Sequence, residues 1–105
     1  DQESTIGSRR IDVALKERRG YVFYEIKTYP SLRTSVREAL GQLLEYAHYP
    51  ESDNAFKLIV VTQSTHSDQS KKEAQRYIAR LRKLYHLPIY LCYFDKKSKT
   101  LSVAY

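Results

Sequence analysis

Two carboxylates and a lysine near the start of the chain are spaced so that they can act together. Residues 9–27 predict one β-hairpin, whose strands are IDVAL and YVFYEIK with a charged, glycine-ended turn between them. Pairing across the two-arginine turn sets Asp12 opposite Glu25, with Cβ atoms roughly 4.5–5.5 Å apart. Lys27 lies on the same face as Glu25, because side chains alternate along a strand.

Two interpretations of this acidic face stay open. Opposed carboxylates destabilise a hairpin unless a cation offsets them, and a divalent metal is a natural candidate. Hard carboxylate oxygens suit Mg²⁺ in particular. Alternatively, both acids lie on a solvated face and Lys27 neutralises them. Spacing alone does not choose between a metal site and a solvated ion cluster.

The hairpin resembles the signature of the PD-(D/E)xK nuclease superfamily. Asp12, followed on the next strand by Glu25, Ile26 and Lys27, matches its acidic and E-x-K positions, although Ile11 stands where a proline is expected. The resemblance implies that Asp12, Glu25 and the backbone carbonyl of Ile26 hold Mg²⁺, with Mn²⁺ as a substitute. It also implies that Lys27 orients or deprotonates the attacking water, or stabilises the developing charge.

A second motif extends the resemblance beyond the hairpin. Gln42 and Tyr46 are similar to the QxxxY motif of RecB-like nucleases. In that family Gln42 would position the water or the strand, and Tyr46 would support the substrate backbone. The order of elements over residues 9–94 also resembles the Mrr-like restriction-endonuclease core. Together these features imply a metal-dependent nuclease that acts on DNA.

The elements that must position these residues predict an α/β fold. A mixed sheet would contain the hairpin and two apolar strands, with two helices between them: helix 32–48, strand 57–63, helix 69–86 and strand 89–94. The run at 57–63 suits a strand buried on both faces, as in a parallel sheet flanked by helices. The second helix has an apolar stripe that we expect to be buried, formed by Ala74, Tyr77, Ile78, Leu81 and Tyr85.

Basic side chains on the helices are candidates for contacts with phosphate. Another face of the second helix carries a basic stripe made of Lys72, Arg76, Arg80 and Lys83. One interpretation is a phosphate-contacting surface, and the other is an ordinary solvated face. Arg37 on the first helix is a further candidate. The net charge of +6, from 18 basic and 12 acidic residues, suits an anionic partner without requiring one.

Length and composition fit a single domain over residues 1–105, interpreted as a fragment of a longer protein because it begins at Asp1 and has no methionine. The superfamily usually has a helix and a strand before the aspartate strand. Residues 1–8 are too short and too polar to supply both, so these elements would belong to an upstream segment. Partner domains of the full-length chain are expected, and a homodimer stays open.

The remaining features predict an intracellular protein. The single Cys92 lies in an apolar run and is expected to be a buried thiol, and no signal peptide or membrane-spanning run is visible. With the resemblance, this points to a cytoplasmic protein of prokaryotic type that has no membrane partner. Three alternatives to a DNA nuclease remain: an inactive nuclease-fold module for nucleic-acid binding or assembly, a nuclease directed at RNA, and a structural domain whose match is accidental.

Overall fold

The described residues form a five-stranded mixed sheet with two helices and a separate two-stranded pair. The computed structural model describes residues 4–6, 9–52 and 54–105. In chain order its elements are β1 (Ser4–Ile6), β2 (Arg9–Ile11), β3 (Val13–Glu17), β4 (Gly20–Ile26), α1 (Leu32–His48), β5 (Ala55–Gln63), α2 (Asp68–Tyr85), β6 (Ile89–Asp95) and β7 (Thr100–Leu101). The large sheet has the order β3-β4-β5-β6-β7. Strands β4, β5 and β6 are parallel, and β3 and β7 run antiparallel to their neighbours. The predicted α/β class is confirmed.

The amino-terminal hairpin has the predicted register but a shorter first strand. Strand β3 pairs with β4 from the turn back to Val13 opposite Tyr24. At Asp12 the chain bends, and β2 pairs with β1 rather than with β4. The prediction that IDVAL forms one continuous strand is therefore wrong, because Ile11 ends β2 and β3 begins at Val13. A physical reason lies in Asp12, whose side chain accepts a hydrogen bond from the Ile26 backbone and so replaces a regular ladder contact.

Both helices begin at capping serines that follow a strand. Helix α1 spans the predicted residues and begins after Ser31, whose hydroxyl accepts a hydrogen bond from the Thr34 amide at 3.2 Å. Helix α2 begins one residue earlier than predicted, after Ser67, which accepts from the Ser70 amide at 3.1 Å. Each hydroxyl satisfies one of the amides that a helix start leaves without an intrahelical partner.

The two helices pack on the same face of the sheet. The main core joins Phe23, Val60 and Leu91 from three adjacent strands to Leu43 of α1 and Ile78 of α2, and none of these five side chains is accessible to solvent. Both β-α-β crossovers progress in one direction along the sheet, and right-handed crossovers then place both helices on one face. The carboxyl ends of β4 and β5 thus meet the starts of α1 and α2 at one edge.

The opposite face of the sheet carries a smaller apolar cluster. Val22, Ile59, Val61 and Cys92 are buried there, and the partly buried rings of neighbouring strands, Tyr24, Phe56 and Tyr90, pack around them. Strand β5 is therefore buried on both faces, as predicted. Within the described residues this second cluster contains no helical residue, so strand side chains alone cover that face.

Helix α2 buries less of its surface than the sequence predicts. Ala74 and Ile78 are its buried residues, whereas Tyr77 and Tyr85 are 49% and 66% exposed. The prediction that both tyrosines are buried is wrong, because they lie beside the narrow strip of α2 that meets the sheet. Among the described helices, none combines the length and the apolar character needed to cross a membrane.

Candidate active site

The acidic pair lies where the bend of the first strand meets the carboxyl end of β4. Phe23 packs against the helices, so Glu25, two residues later, lies on the same helix-covered face. Its side chain is 3% exposed, which is unusual for a carboxylate. The continuous hydrogen-bonded ladder ends one pair before Asp12, yet the charge of Asp12 still acts on Glu25. The two carboxylates are therefore neighbours, as the register predicts.

A backbone contact fixes the position of Asp12. Its Oδ2 atom accepts a hydrogen bond from the Ile26 amide at 2.8 Å. This contact ties the bend after β2 to the end of β4, across 14 positions of sequence. The Asp12 carboxylate is held beside the Glu25-Ile26-Lys27 segment by a short, charge-assisted bond.

Glu25 is electrostatically strained. Burial, and after it repulsion from Asp12, raises its pKa from an ordinary 4.5 to about 7, even though Lys27 acts to lower it. The Lys27 Nζ atom lies 3.7 Å from Glu25 Oε2, an ion-pair distance too long for a good hydrogen bond. The other oxygen, Oε1, is buried and has no hydrogen-bond partner among the described residues. One lysine therefore leaves the buried carboxylate incompletely satisfied.

The donor atoms present suit a hard cation. Within the described residues, no group of three or more His, Cys, Asp or Glu side chains could hold a metal ion. A site here would instead combine two carboxylates, from Asp12 and Glu25, with the backbone carbonyl of Ile26. Proteins commonly bind Mg²⁺ in this manner, through one or two carboxylates, while water and substrate phosphate complete its shell. The unpartnered Oε1 of Glu25 is the atom that such an ion would satisfy.

The two residues of the second motif lie on α1. Gln42 is half-buried, and within the described part of the chain it forms no hydrogen bond to Asp12, Glu25 or Lys27. Tyr46 is half-buried and packs against the main core. Their assignment to the site stays a prediction.

Sequence reasoning missed polar residues at the end of β5, the strand that pairs with the end of β4. Thr62 is fully buried on β5, and it follows Val61, whose carbonyl accepts a hydrogen bond from the Lys27 amide at 3.0 Å. The Thr62 hydroxyl lies 3.3 Å from Nε2 of His66, in the loop before α2. Burial and then the charge of Lys71 lower the pKa of His66. Their place in the sequence could have identified them, because residues at the carboxyl ends of neighbouring parallel strands meet at one edge of the sheet.

The predicted phosphate-contacting residues occupy two different surfaces. All four members of the basic stripe are exposed on α2, an arrangement that either earlier interpretation allows. Arg37 instead lines an interhelical groove of about 550 Å³ between the first halves of α1 and α2, together with Arg33, His66, Glu73 and Tyr77. Whether the stripe contacts phosphate stays a prediction.

Comparisons of the chain with protein-family models, with curated proteins and with solved structures each found no match.

Proposed function

We propose that this chain is a Mg²⁺-dependent DNA nuclease domain that hydrolyses phosphodiester bonds. The observation that carries the proposal is Glu25, a buried carboxylate with one oxygen lacking a partner, placed beside Asp12. A buried polar atom without a partner costs about 1–3 kcal/mol, and more when it is charged. A purely structural domain gains nothing from a buried oxygen without a partner, whereas a cation site needs such an oxygen as a ligand.

The proposal includes a restriction-endonuclease-like core. Its support is the arrangement of elements: an antiparallel hairpin carries Glu25, the bend before it carries Asp12, and α1, β5, α2 and β6 follow in the order that such a core would have. The end of β4 brings together Glu25, the Ile26 carbonyl and Lys27, as the E-x-K resemblance implies. The bend at Asp12 adds the remaining carboxylate.

The side chains divide the work in this proposal. A bound Mg²⁺ supplies acidification of a coordinated water and compensation of charge at the phosphate. Asp12, fixed by the Ile26 amide, and Glu25 present oxygens to it. Lys27 is about one-fifth exposed, so its ammonium group can reach from Glu25 to a water or a phosphate oxygen. There it orients the attacking water or stabilises the developing charge. Gln42 keeps the role of positioning the water or the strand.

The pKa of Glu25 makes this site dependent on pH. With a pKa of about 7, Glu25 holds a proton in much of the population at neutral pH. A cation binds the deprotonated carboxylate, so binding must release that proton. The affinity for Mg²⁺ should therefore rise with pH up to and slightly beyond 7, and calorimetric titrations at pH 6 and pH 8 measure it directly.

A thermal-melting titration tests the metal site. Mg²⁺ or Mn²⁺ should raise the Tm of the parent protein because the ion binds the folded state. Asp12→Asn combined with Glu25→Gln should abolish this increment. The matched control is Glu45→Gln combined with Glu51→Gln, which removes two exposed carboxylates and should leave the increment intact. An equal response to metal in the acid-pair variant would place the site elsewhere.

A cleavage assay tests the chemistry. Lys27→Ala should leave the domain folded, because the bond from the Lys27 amide to the Val61 carbonyl does not depend on the side chain. It should slow metal-dependent cleavage on the order of 10²-fold or more. Lys16→Ala is the matched control on the same hairpin, where the exposed ammonium lies over the Tyr21 ring. Gln42→Ala should cost less than Lys27→Ala.

The outcome decides between a nuclease and a binding module. The assay includes full-length protein, since the resemblance implies further elements upstream. If that protein with Mg²⁺ or Mn²⁺ cleaves no single-stranded, duplex or modified DNA, the catalytic proposal fails. An inactive nucleic-acid-binding or assembly module then takes its place. If Lys27→Ala cleaves as fast as the parent, the activity arises elsewhere in the protein.

A further inference from the structure

The interhelical groove combines cationic and aromatic side chains. Arg33 and Arg37 line it from α1, four residues apart and therefore on one side of the helix. Tyr77 lines it from α2 with 49% of its surface exposed. A volume of about 550 Å³ falls within the range of roughly 300–1,000 Å³ that is common for ligand clefts.

The groove is electropositive. Among the described residues, neither Arg33 nor Arg37 forms an ion pair or a hydrogen bond with another side chain. The first turn of α1, which begins at the groove, contains no acidic residue, so the positive end of its dipole is not neutralised. The one acidic lining residue is Glu73, which accepts a hydrogen bond from Gln69 at 2.9 Å. Two guanidinium groups outnumber that carboxylate.

The groove opens at the edge of the sheet that also carries the acidic pair. Thr62 alternates with Val60 on β5 and so lies on the helix-covered face, as Glu25 does. Its hydroxyl contacts His66, which lines the groove, while the strand residue before it bonds to Lys27. The groove and the acidic pair therefore share one edge and one face of the sheet. A polymer held in the groove can extend to the site.

We propose that this groove binds a single-stranded segment of DNA, with one base stacked on Tyr77 and backbone phosphates bound by Arg33 and Arg37. The assignment of DNA as the polymer rests on the proposed function. Sequence-independent single-strand binding combines the stacking of bases on aromatic rings, which any base can do, with cationic contacts to the backbone. In a duplex the bases are already stacked on each other, so Tyr77 has no free base face to contact. Single strands should therefore bind better than duplex.

The test is a metal-free binding assay, which does not depend on cleavage. Fluorescence anisotropy with a labelled mixed-sequence oligodeoxynucleotide, single-stranded or duplex, is recorded over a salt series in EDTA. Tyr77→Ala should weaken single-strand binding about five- to a hundredfold and leave duplex binding nearly unchanged. Tyr77→Phe should bind as the parent does, since it keeps the ring. Tyr85→Ala removes a ring of α2 that lies outside the groove and is more exposed than Tyr77, and it should also bind as the parent does.

The arginine pair has its own prediction. Arg33→Ser combined with Arg37→Ser should reduce the steepness of log K against log salt for single strands by about 1.4, at ~0.7 per lost contact. Lys96→Ser combined with Lys97→Ser removes two exposed charges from a turn outside the groove and should leave the steepness unchanged. Melting curves of all variants show whether a loss of binding reflects unfolding, and the change in salt dependence of the arginine variant keeps the inference testable if Tyr77→Ala unfolds.

Three results would overturn the inference. One is an affinity for single strands that Tyr77→Ala leaves unchanged, because the groove would then contact the phosphates and not the bases. Another is a deoxynucleoside monophosphate that competes as tightly as the oligonucleotide binds, since the groove would then be a nucleotide site. The third is no single-strand binding by the parent. Tyr77-dependent binding without cleavage would support single-strand binding in the groove and refute the nuclease proposal. Cleavage without Tyr77-dependent binding would support the nuclease proposal and refute single-strand binding in the groove.

Discussion

Replacing Glu25 by glutamine should stabilise the metal-free protein at alkaline pH. The carboxyl group of Glu25 is buried beside Asp12, and its pKa rises from 4.5 to about 7. A raised pKa means that the folded state holds a proton that the unfolded state has already released. Stability contributed by that proton is present below pH 4.5 and is lost as the pH rises through 7. A neutral glutamine avoids this loss.

The size of the effect follows from the shift in pKa. Each pKa unit corresponds to about 1.4 kcal/mol, so the shift of Glu25 sets an upper bound of about 3 kcal/mol. Water near the half-exposed Asp12 screens part of the repulsion, and part of the loss has already occurred at pH 5. Between pH 5 and pH 8, the free energy of unfolding of Glu25→Gln should therefore rise by about 2 kcal/mol relative to the parent.

Denaturant unfolding in EDTA at a series of pH values measures this difference. Subtracting the parent curve removes the titration of groups that both proteins share, and the matched control Glu38→Gln removes an exposed carboxylate from α1. Mg²⁺ added at pH 8 should stabilise the parent and not Glu25→Gln. A difference between parent and variant that is independent of pH, or that falls as pH rises, would show that Lys27 already stabilises the ionised carboxylate. The ionised Glu25 carboxylate would then need no bound cation.

Three further outcomes are expected. Gly20→Ala should destabilise the protein by about 1–3 kcal/mol in denaturant unfolding, because Gly20 has φ +136° and a Cβ atom there would collide with the Asn54 carbonyl oxygen; a smaller loss would mean that the hairpin turn relaxes. Asp12→Ala should cost about 1 kcal/mol at pH 5 by leaving the Ile26 amide without its acceptor, and Asp12→Asn should cost less, since it keeps an acceptor. Replacing Arg76, Arg80 and Lys83 together by serine should reduce the slope of log K against log salt for duplex binding by up to about 0.9 per lost contact. An unchanged slope would identify these residues as a solvated face.

Local pattern was sufficient for both helices, for strands β5 and β6, and for the register of the hairpin. The turn and the alternation of apolar residues determine that Val13 faces Tyr24, since a slip of one residue would turn every side chain to the opposite face. The 3.6-residue period and a capping serine determined helix α1, from Leu32 to His48. With the register fixed, the proximity of Asp12 and Glu25 follows from the sequence.

Tertiary packing decided the chemical state of the site and the surfaces around it. The burial of Glu25 depends on the two helices sharing one face of the sheet, which no local pattern encodes. The bend at Asp12 depends on a hydrogen bond across 14 residues, so the predicted strand could not reveal its own break. Tyr77 has the spacing of a core residue, yet it lines a groove because only a narrow strip of α2 meets the sheet. Sequence periodicity records which face of an element is apolar, and the packing of other elements determines how much of that face is covered.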